Sequence, residues 1–177
     1  MKGLHLFLEA LPHVRQRRPV TLTVIAAPGP SDYARQVHRQ VHDLGLDDLV
    51  RFQLPVPIEA LEAEFRRHDL LLFHSVYAEP VAQVLLRAAL AGLPVAGPAA
   101  HAPDALLLEG VTASCYADTS AAAVSAAILR GLDDEAARAG RAERLATLVR
   151  RDHDLADTIA GYDRLLRERL AAAPAGT

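Results

Sequence analysis

Apolar positions at the start of the chain fall into a helical rhythm. Leu4, Phe7, Leu8 and Leu11 recur three and four residues apart, with Glu9 and Arg15 off that face, so residues 3–17 are expected to form an amphipathic helix. Pro12 lies inside it, lacks an amide donor and crowds the preceding turn, and is expected to kink or shorten the helix. The rhythm then changes to alternation: "VTLTVIA" (20–26) is β-branched and reads as a strand, followed by a turn at "APGPS" (27–31). Ser31 or Asp32 can cap a second helix that stops near Gly45. "LVRFQL" (49–54) predicts a short strand, and "PIEALEAEFRRH" (57–68) a helix with Ile58, Leu61 and Phe65 on one side. "DLLLFHS" (69–75) is almost continuously apolar, the pattern of a parallel strand covered on both faces.

The next block, "EPVAQVLLRAALAGLPVAG" (79–97), predicts a helix over 79–91 and a strand at 93–97. "PDALLLEG" (103–110) suggests a short helix ending at Gly110, and "TASCYA" (112–117) a last strand. Helical segments follow near 120–132, 135–150 and 155–170. Repeated alternation of strand and helix requires parallel strands joined by helical crossovers. The expected fold is therefore α/β: a doubly wound, Rossmann-like parallel sheet with helices on both faces and C-terminal helices over 120–170. Residues 1–152 are expected to form this unit. Residues 153–172 are expected to form a helix whose stripe of Leu155, Ile159, Tyr162, Leu166 and Leu170 packs on it or on a partner, and 173–177 a frayed tail.

Composition narrows the class. The 177 residues are 51% hydrophobic and 23% charged, with a net charge of −3, which suits a globular domain. Arginines are interspersed with acids instead of forming a basic stripe, so nucleic acid is not the expected partner. No run approaches the ~18 apolar residues of a membrane span, no signal-peptide pattern opens the chain, and there is a single cysteine, Cys115. A cytoplasmic setting is expected. His38 and His42 stand one turn apart on a polar face with no third ligand near in sequence, so no metal site is expected.

Candidate chemistry follows from sheet order, because open parallel sheets bind ligands beyond the carboxyl ends of their strands. The junction "HSVYAEPV" after the 69–75 strand is expected to present the amides of Val81, Ala82 and Gln83 at a helix start, a ready seat for phosphate. Pro80 suits the first helical position. Glu79 has two readings: an acid that caps the helix and offsets its dipole, or a carboxylate that grips sugar hydroxyls beside a phosphate. His101 in "AAHAPD" reads as a loop residue. His74 and Ser75 do not read as a nucleophile and base, since adjacent strand residues point to opposite faces.

At this point the chain resembles a family. "KGLHLFLEAL", "LTVIAAPGP", "LVRFQLPV", "DLLLFHSVYAEPVAQVLLRAALAGLPVAG" and "PDALLLEG" follow in order the blocks of family-4 (group 1) glycosyltransferases of the two-domain GT-B fold, and the likeness is to their C-terminal, nucleotide-sugar-binding domain. The resemblance implies retaining transfer of a sugar from a nucleoside diphosphate donor, with no metal or other cofactor, in glycoconjugate or polysaccharide synthesis. It implies that Lys2 faces the donor diphosphate, that Glu79 stands near the donor sugar and reaction centre, and that Val81 and Ala82 offer amides to the phosphates. Gly29 would then lie near the nucleotide and Leu54–Val56 near the base.

The chain departs from the family pattern in three places. Arg87 replaces a second glutamate that holds the ribose hydroxyls, and a guanidinium can only donate where a carboxylate accepts; either ribose is held differently or donor binding is lost. Ala82 replaces a glycine, adding a methyl where a ligand passes. His101 and Ala102 replace a Gly-Gly pair, with Asp104 for a glutamate. The resemblance also implies an N-terminal acceptor domain of similar size and a strand ahead of the first helix. The chain is therefore expected to be an excised or truncated half, inactive alone, with the 155–170 stripe reaching that domain or a second copy in a homodimer. Two other readings stand beside it: a binding or scaffold module with a degenerate donor site, and a nucleotide-sugar epimerase of the same fold.

Overall fold

A computed structural model of the chain describes residues 2–27, 29, 31–76, 82–99 and 106–172. Helix α1 (Leu4–Arg15) leads to strand β1 (Leu22–Ile25), helix α2 (Asp32–Asp43) and strand β2 (Val50–Gln53). A 3-10 turn (Ile58–Ala60) and the short α3 (Leu61–Phe65) precede β3 (Leu71–Leu72), α4 (Gln83–Leu90), β4 (Val95–Pro98) and β5 (Ser114–Tyr116). Helices α5 (Ala121–Asp133), α6 (Glu135–Asp152) and α7 (Leu155–Ala172) follow.

Local chemistry explains most of these boundaries. Ser31, Ser120 and Asp134 each accept a hydrogen bond from the amide three residues on and so cap α2, α5 and α6. Gly45 takes a left-handed φ of 60° just past α2, and the Leu46 amide turns back onto the Val41 carbonyl, closing the helix. Pro12 does not end α1, which continues to Arg15. Burial of Phe7, Leu8, Ala10, Leu11 and Val14 holds the last turn against the core despite the lost backbone bond.

Two expected helices differ. Over 57–68 only a 3-10 turn and α3 form, and of α3 only Glu64 and Phe65 are buried, too little apolar contact to carry more turns. Of the helix expected over 103–110, residues 103–105 lie outside the described residues, and 106–110 are not helical. There the Thr112 hydroxyl donates to the Leu106 carbonyl (2.6 Å) and accepts from the Leu108 amide (2.8 Å), while Glu109 bridges Ala113. These bonds occupy the backbone groups a helix would use and drop Leu106 and Leu107 into the core.

All strand pairs among the described residues are parallel. β1 pairs with β2 (Leu22 opposite Val50), β3 with β4 (Leu71 opposite Val95), and β4 with β5 (Ala96 opposite Ser114). β3 divides its side chains by alternation. Leu70 and Leu72 join the layer of α1 and α5, with Phe7, Val14, Val124 and Ile128, and Leu71 and Phe73 join that of α4 and α6, with Leu85, Leu145 and Val149. β1 packs Leu22 and Val24 against α1 and α2. Helices thus cover both faces of a parallel array, as the alternation of elements predicts.

The array is divided, however. β1–β2 form one ladder and β3–β4–β5 another. α7 leaves its stripe uncovered, with Leu155, Ile159, Tyr162, Leu166 and Leu170 between 60% and 76% exposed. No helix among the described residues is long and apolar enough to cross a membrane.

Candidate functional site

The carboxyl ends of the strands gather several loops. After β1 come Ala26, Ala27 and Gly29, which is exposed with open space around its Cα, and then Ser31 at the start of α2. After β2 the chain runs out through Leu54, which is 66% exposed. After β5, Asp118 accepts a hydrogen bond from the Ser120 amide (2.8 Å), and its bonds to Ser120 hold the carboxyl below the usual aspartate range.

The β3 end is built differently. His74 and Ser75 are buried, and the recorded side-chain partner of His74 is Tyr116, at the end of β5. The Tyr116 hydroxyl donates to the Phe73 carbonyl (3.1 Å), so it accepts from Nδ1–H of His74 (2.9 Å). Burial, and after it the proximity of Cys115, push the Tyr116 phenol well above its ordinary pKa and keep it a neutral donor. The result is a polar clamp across the ends of β3 and β5. Sequence offered no signal for it, because 42 residues separate the partners.

This clamp positions the N-terminal segment. Gly3 has a left-handed φ of 63°, and a Cβ built on it would lie 2.4 Å from His74 Cδ2. Only glycine fits both conditions. The contact sets Lys2, which is exposed and is the chain's sole lysine, beside the junction that follows β3. Lys2 and His74 share the lining of one cavity.

α4 begins at Gln83, with Ala82 as its flanking residue (φ −86°, ψ 88°). The helix start expected at 79 is not where the described helix opens, and Ala82 stands just outside it. The Ala82 carbonyl accepts from the Leu85 amide at 2.8 Å, and the amides of Gln83 and Val84 have no intrahelical acceptor. Ala82 is fully buried in the cluster of Phe73, Leu85 and Ala89, so its methyl packs in the core. Arg87 is exposed in the last turn of α4, where a cation also suits the helix dipole. Glu79, Pro80, Val81 and His101 lie outside the described residues. Among the described residues no three His, Cys, Asp or Glu side chains gather as metal ligands. The structure therefore brings Lys2 to the β3 end, places Gly29 on the loop after β1, and sets Ala82 and Arg87 at opposite ends of α4.

Comparison with known proteins adds to this geometry. Residues 1–134 match the profile of a family described as "Glycosyl transferases group 1". The chain is 32% identical over 134 residues to a GDP-mannose-dependent alpha-(1-6)-phosphatidylinositol monomannoside mannosyltransferase of Mycolicibacterium smegmatis, an alignment taking in 72% of this chain and 34% of the relative. Among solved structures it is similar to Anabaena Alr3699/HepE in complex with UDP and glucose, with 24% identity and a TM-score of 0.77 over 97% of this chain and 45% of that one. It is also similar to the C-terminal domain of the group 1 family glycosyl transferase LpcC of Francisella tularensis, with 19% identity and a TM-score of 0.75 over 87% of this chain and 80% of that one. At these identities the structural likenesses establish the fold, and the chain spans about a third (34%) of the length of the curated relative.

Proposed function

We infer that this chain, which belongs to the group 1 glycosyltransferase family, is the donor-binding half of a two-domain enzyme. That enzyme moves a sugar, with retention of configuration, from a nucleoside diphosphate to an acceptor in glycoconjugate or polysaccharide synthesis. The observation that carries the reading is the seating of Lys2 at the carboxyl end of β3 by the contact of Gly3 with the clamped His74. In this proposal the ammonium of Lys2 faces the diphosphate and stabilises the negative charge that grows on the leaving group as the sugar departs. The amides at the head of α4 supply further donors to the same phosphates.

Glu79 grips hydroxyls of the donor sugar, and its carboxylate accepts the bonds that Lys2 cannot. Gly29 lets the loop after β1 approach the nucleotide closely. Arg87 carries the departure: it donates where a ribose-holding carboxylate would accept. A relative named for its dependence on GDP-mannose and a structural neighbour bound to UDP support a nucleoside diphosphate as ligand. The exposed stripe of α7 is proposed to pack on the acceptor domain, so the isolated chain binds donor without completing transfer.

Calorimetric titration with UDP and GDP tests the reading. Binding at about 1 mM or tighter is expected, weakened roughly tenfold by Lys2→Ala as one charge-assisted contact is lost. Arg87→Glu is expected to tighten it. Absence of binding by either nucleotide, or binding indifferent to both Lys2→Ala and Glu79→Ala, overturns the proposal and leaves a scaffold module of the same fold. Sugar transfer by the chain alone would refute its role as half an active site.

A further inference from the structure

Strand β5 ends the β3–β4–β5 ladder, so one of its edges faces no other strand among the described residues. Such an edge invites pairing with another chain, the more so when the strand is apolar and uncharged. β5 is both. Ser114, Cys115 and Tyr116 are all buried, and the surrounding "TASCYA" (112–117) holds no charge and no proline.

The backbone groups of β5 divide by alternation. Those of Ser114 and Tyr116 face β4, since Cys115 stands opposite Gly97 and the Tyr116 carbonyl accepts from the Ala99 amide (3.0 Å). Those of Ala113 and Cys115 therefore face outward. At Ala113 the preceding loop supplies the partners: the amide donates to the Leu108 carbonyl (3.2 Å), and the carbonyl accepts from the Gly110 amide (3.0 Å). At Cys115 two side chains do so. The amide donates to the Glu109 carboxylate, and the carbonyl accepts from the Arg130 guanidinium (2.6 Å). Glu109 and Arg130 also pair with each other, Oε1 to Nε, at 3.2 Å. A carboxylate and a guanidinium thus stand where the C=O and N–H of a neighbouring strand would stand.

The surroundings show what this arrangement does. The Glu109 and Arg130 side chains are 51% and 48% exposed, and an ion pair so wetted contributes little to stability by itself. Beside the edge lies a cavity of about 590 Å³ whose walls include the small side chains of Ala117, Ala123 and Ala126, so among the described residues bulk does not close it. Helix α6 fixes both members of the pair. Arg144 donates to the Val111 carbonyl (2.7 Å) in the loop that carries Glu109, and Arg141 to the carbonyl of Arg130 itself (3.0 Å).

We propose that the Glu109–Arg130 pair is an edge lock: it fills the outer hydrogen-bonding row of β5 and so prevents β5 from pairing with β5 of a second copy of this chain. A second copy fits because the free row is centred on one residue. Antiparallel pairing about a two-fold axis at Cys115 would exchange its amide and carbonyl with those of its counterpart. The inference rests on backbone geometry and is independent of donor binding.

Amide hydrogen exchange and sedimentation of the 177-residue chain test it. In the parent, the Cys115 amide is expected to exchange within about tenfold of the Tyr116 amide, which is bonded to β4. In Glu109→Ala/Arg130→Ala it is expected to exchange at least about tenfold faster than in the parent when dilute, with Tyr116 unchanged. It should regain protection as concentration rises and an association step absent from the parent sets in. The charge swap Glu109→Arg/Arg130→Glu keeps the ionic attraction but sets guanidinium against amide and carboxylate against carbonyl, so it is expected to behave like the alanine pair. Glu109→Gln keeps an acceptor for the amide and is expected to behave like the parent. A parent whose Cys115 amide exchanges more than about tenfold faster than that of Tyr116 overturns the proposal, and this arm needs no substitution. A swap variant that protects Cys115 as the parent does overturns it too, by reducing the contact to an ion pair. So does an alanine pair that gains no association, or gains it without renewed protection of Cys115.

Discussion

Substituting Gly3 by alanine probes the contact that sets Lys2 in place. Alanine at φ 63° costs about 1–2 kcal/mol through the left-handed backbone alone. Its Cβ would also fall 2.4 Å from His74 Cδ2 and 2.8 Å from Cγ. The imidazole has nowhere to retreat cheaply, because it is buried and bonded to the Tyr116 hydroxyl at 2.9 Å. Relief of the overlap by shifting backbone is an overpacking cost of about 1–3 kcal/mol. The expected total for Gly3→Ala is therefore roughly 2–5 kcal/mol. Far-UV circular dichroism during urea titration suits a chain without tryptophan. In a His74→Ala background the steric part vanishes and only the backbone part remains, so the same substitution should cost about 1–2 kcal/mol there. A cost near zero in the parent, or an equal cost in both backgrounds, would refute the claim that the His74 ring holds the N-terminal segment.

Three further outcomes are expected. Burial, aided by Glu109, raises the Cys115 thiol to about 11, with Arg130 opposing. Native protein should resist thiol reagents at pH 8 and react promptly once unfolded. Since the folded state holds this proton more tightly, the associated stability is complete below the ordinary thiol pKa of 9.0 and declines as pH rises toward 11; denaturant midpoints across that window, compared with Cys115→Ala, check the sign. A chain ending at His153 should lose less than about 0.5 kcal/mol, since α7 is exposed along its length; a large loss in urea titration would show that the helix supports this domain.

Much of the fold was legible in local chemistry. Ser31, Gly45, Ser120 and Asp134 mark helix ends that the structure keeps, because caps and left-handed turns depend on neighbours a few residues away. The apolar run at 69–75 announced a strand covered on both faces, and Leu70 to Phe73 do divide between two helical layers. The 103–110 segment misled for the complementary reason. Its apolar cluster and final glycine suit a helix, but the Thr112 hydroxyl and the bridge from Ala113 to Glu109 claim the backbone over 106–110 from outside that window.

By itself, then, the order of apolar periods determined an alternating α/β chain with parallel strands, and the quoted blocks determined its family. Periodicity of this kind is a local property, set by which side of each element must leave water. Only the tertiary structure decided that His74 and Tyr116 close a clamp behind Gly3, that the Ala82 methyl belongs to the core, and that β1–β2 and β3–β4–β5 form separate ladders. Such facts depend on which distant segments share a space, and the energies that settle them arise only when the layers have packed.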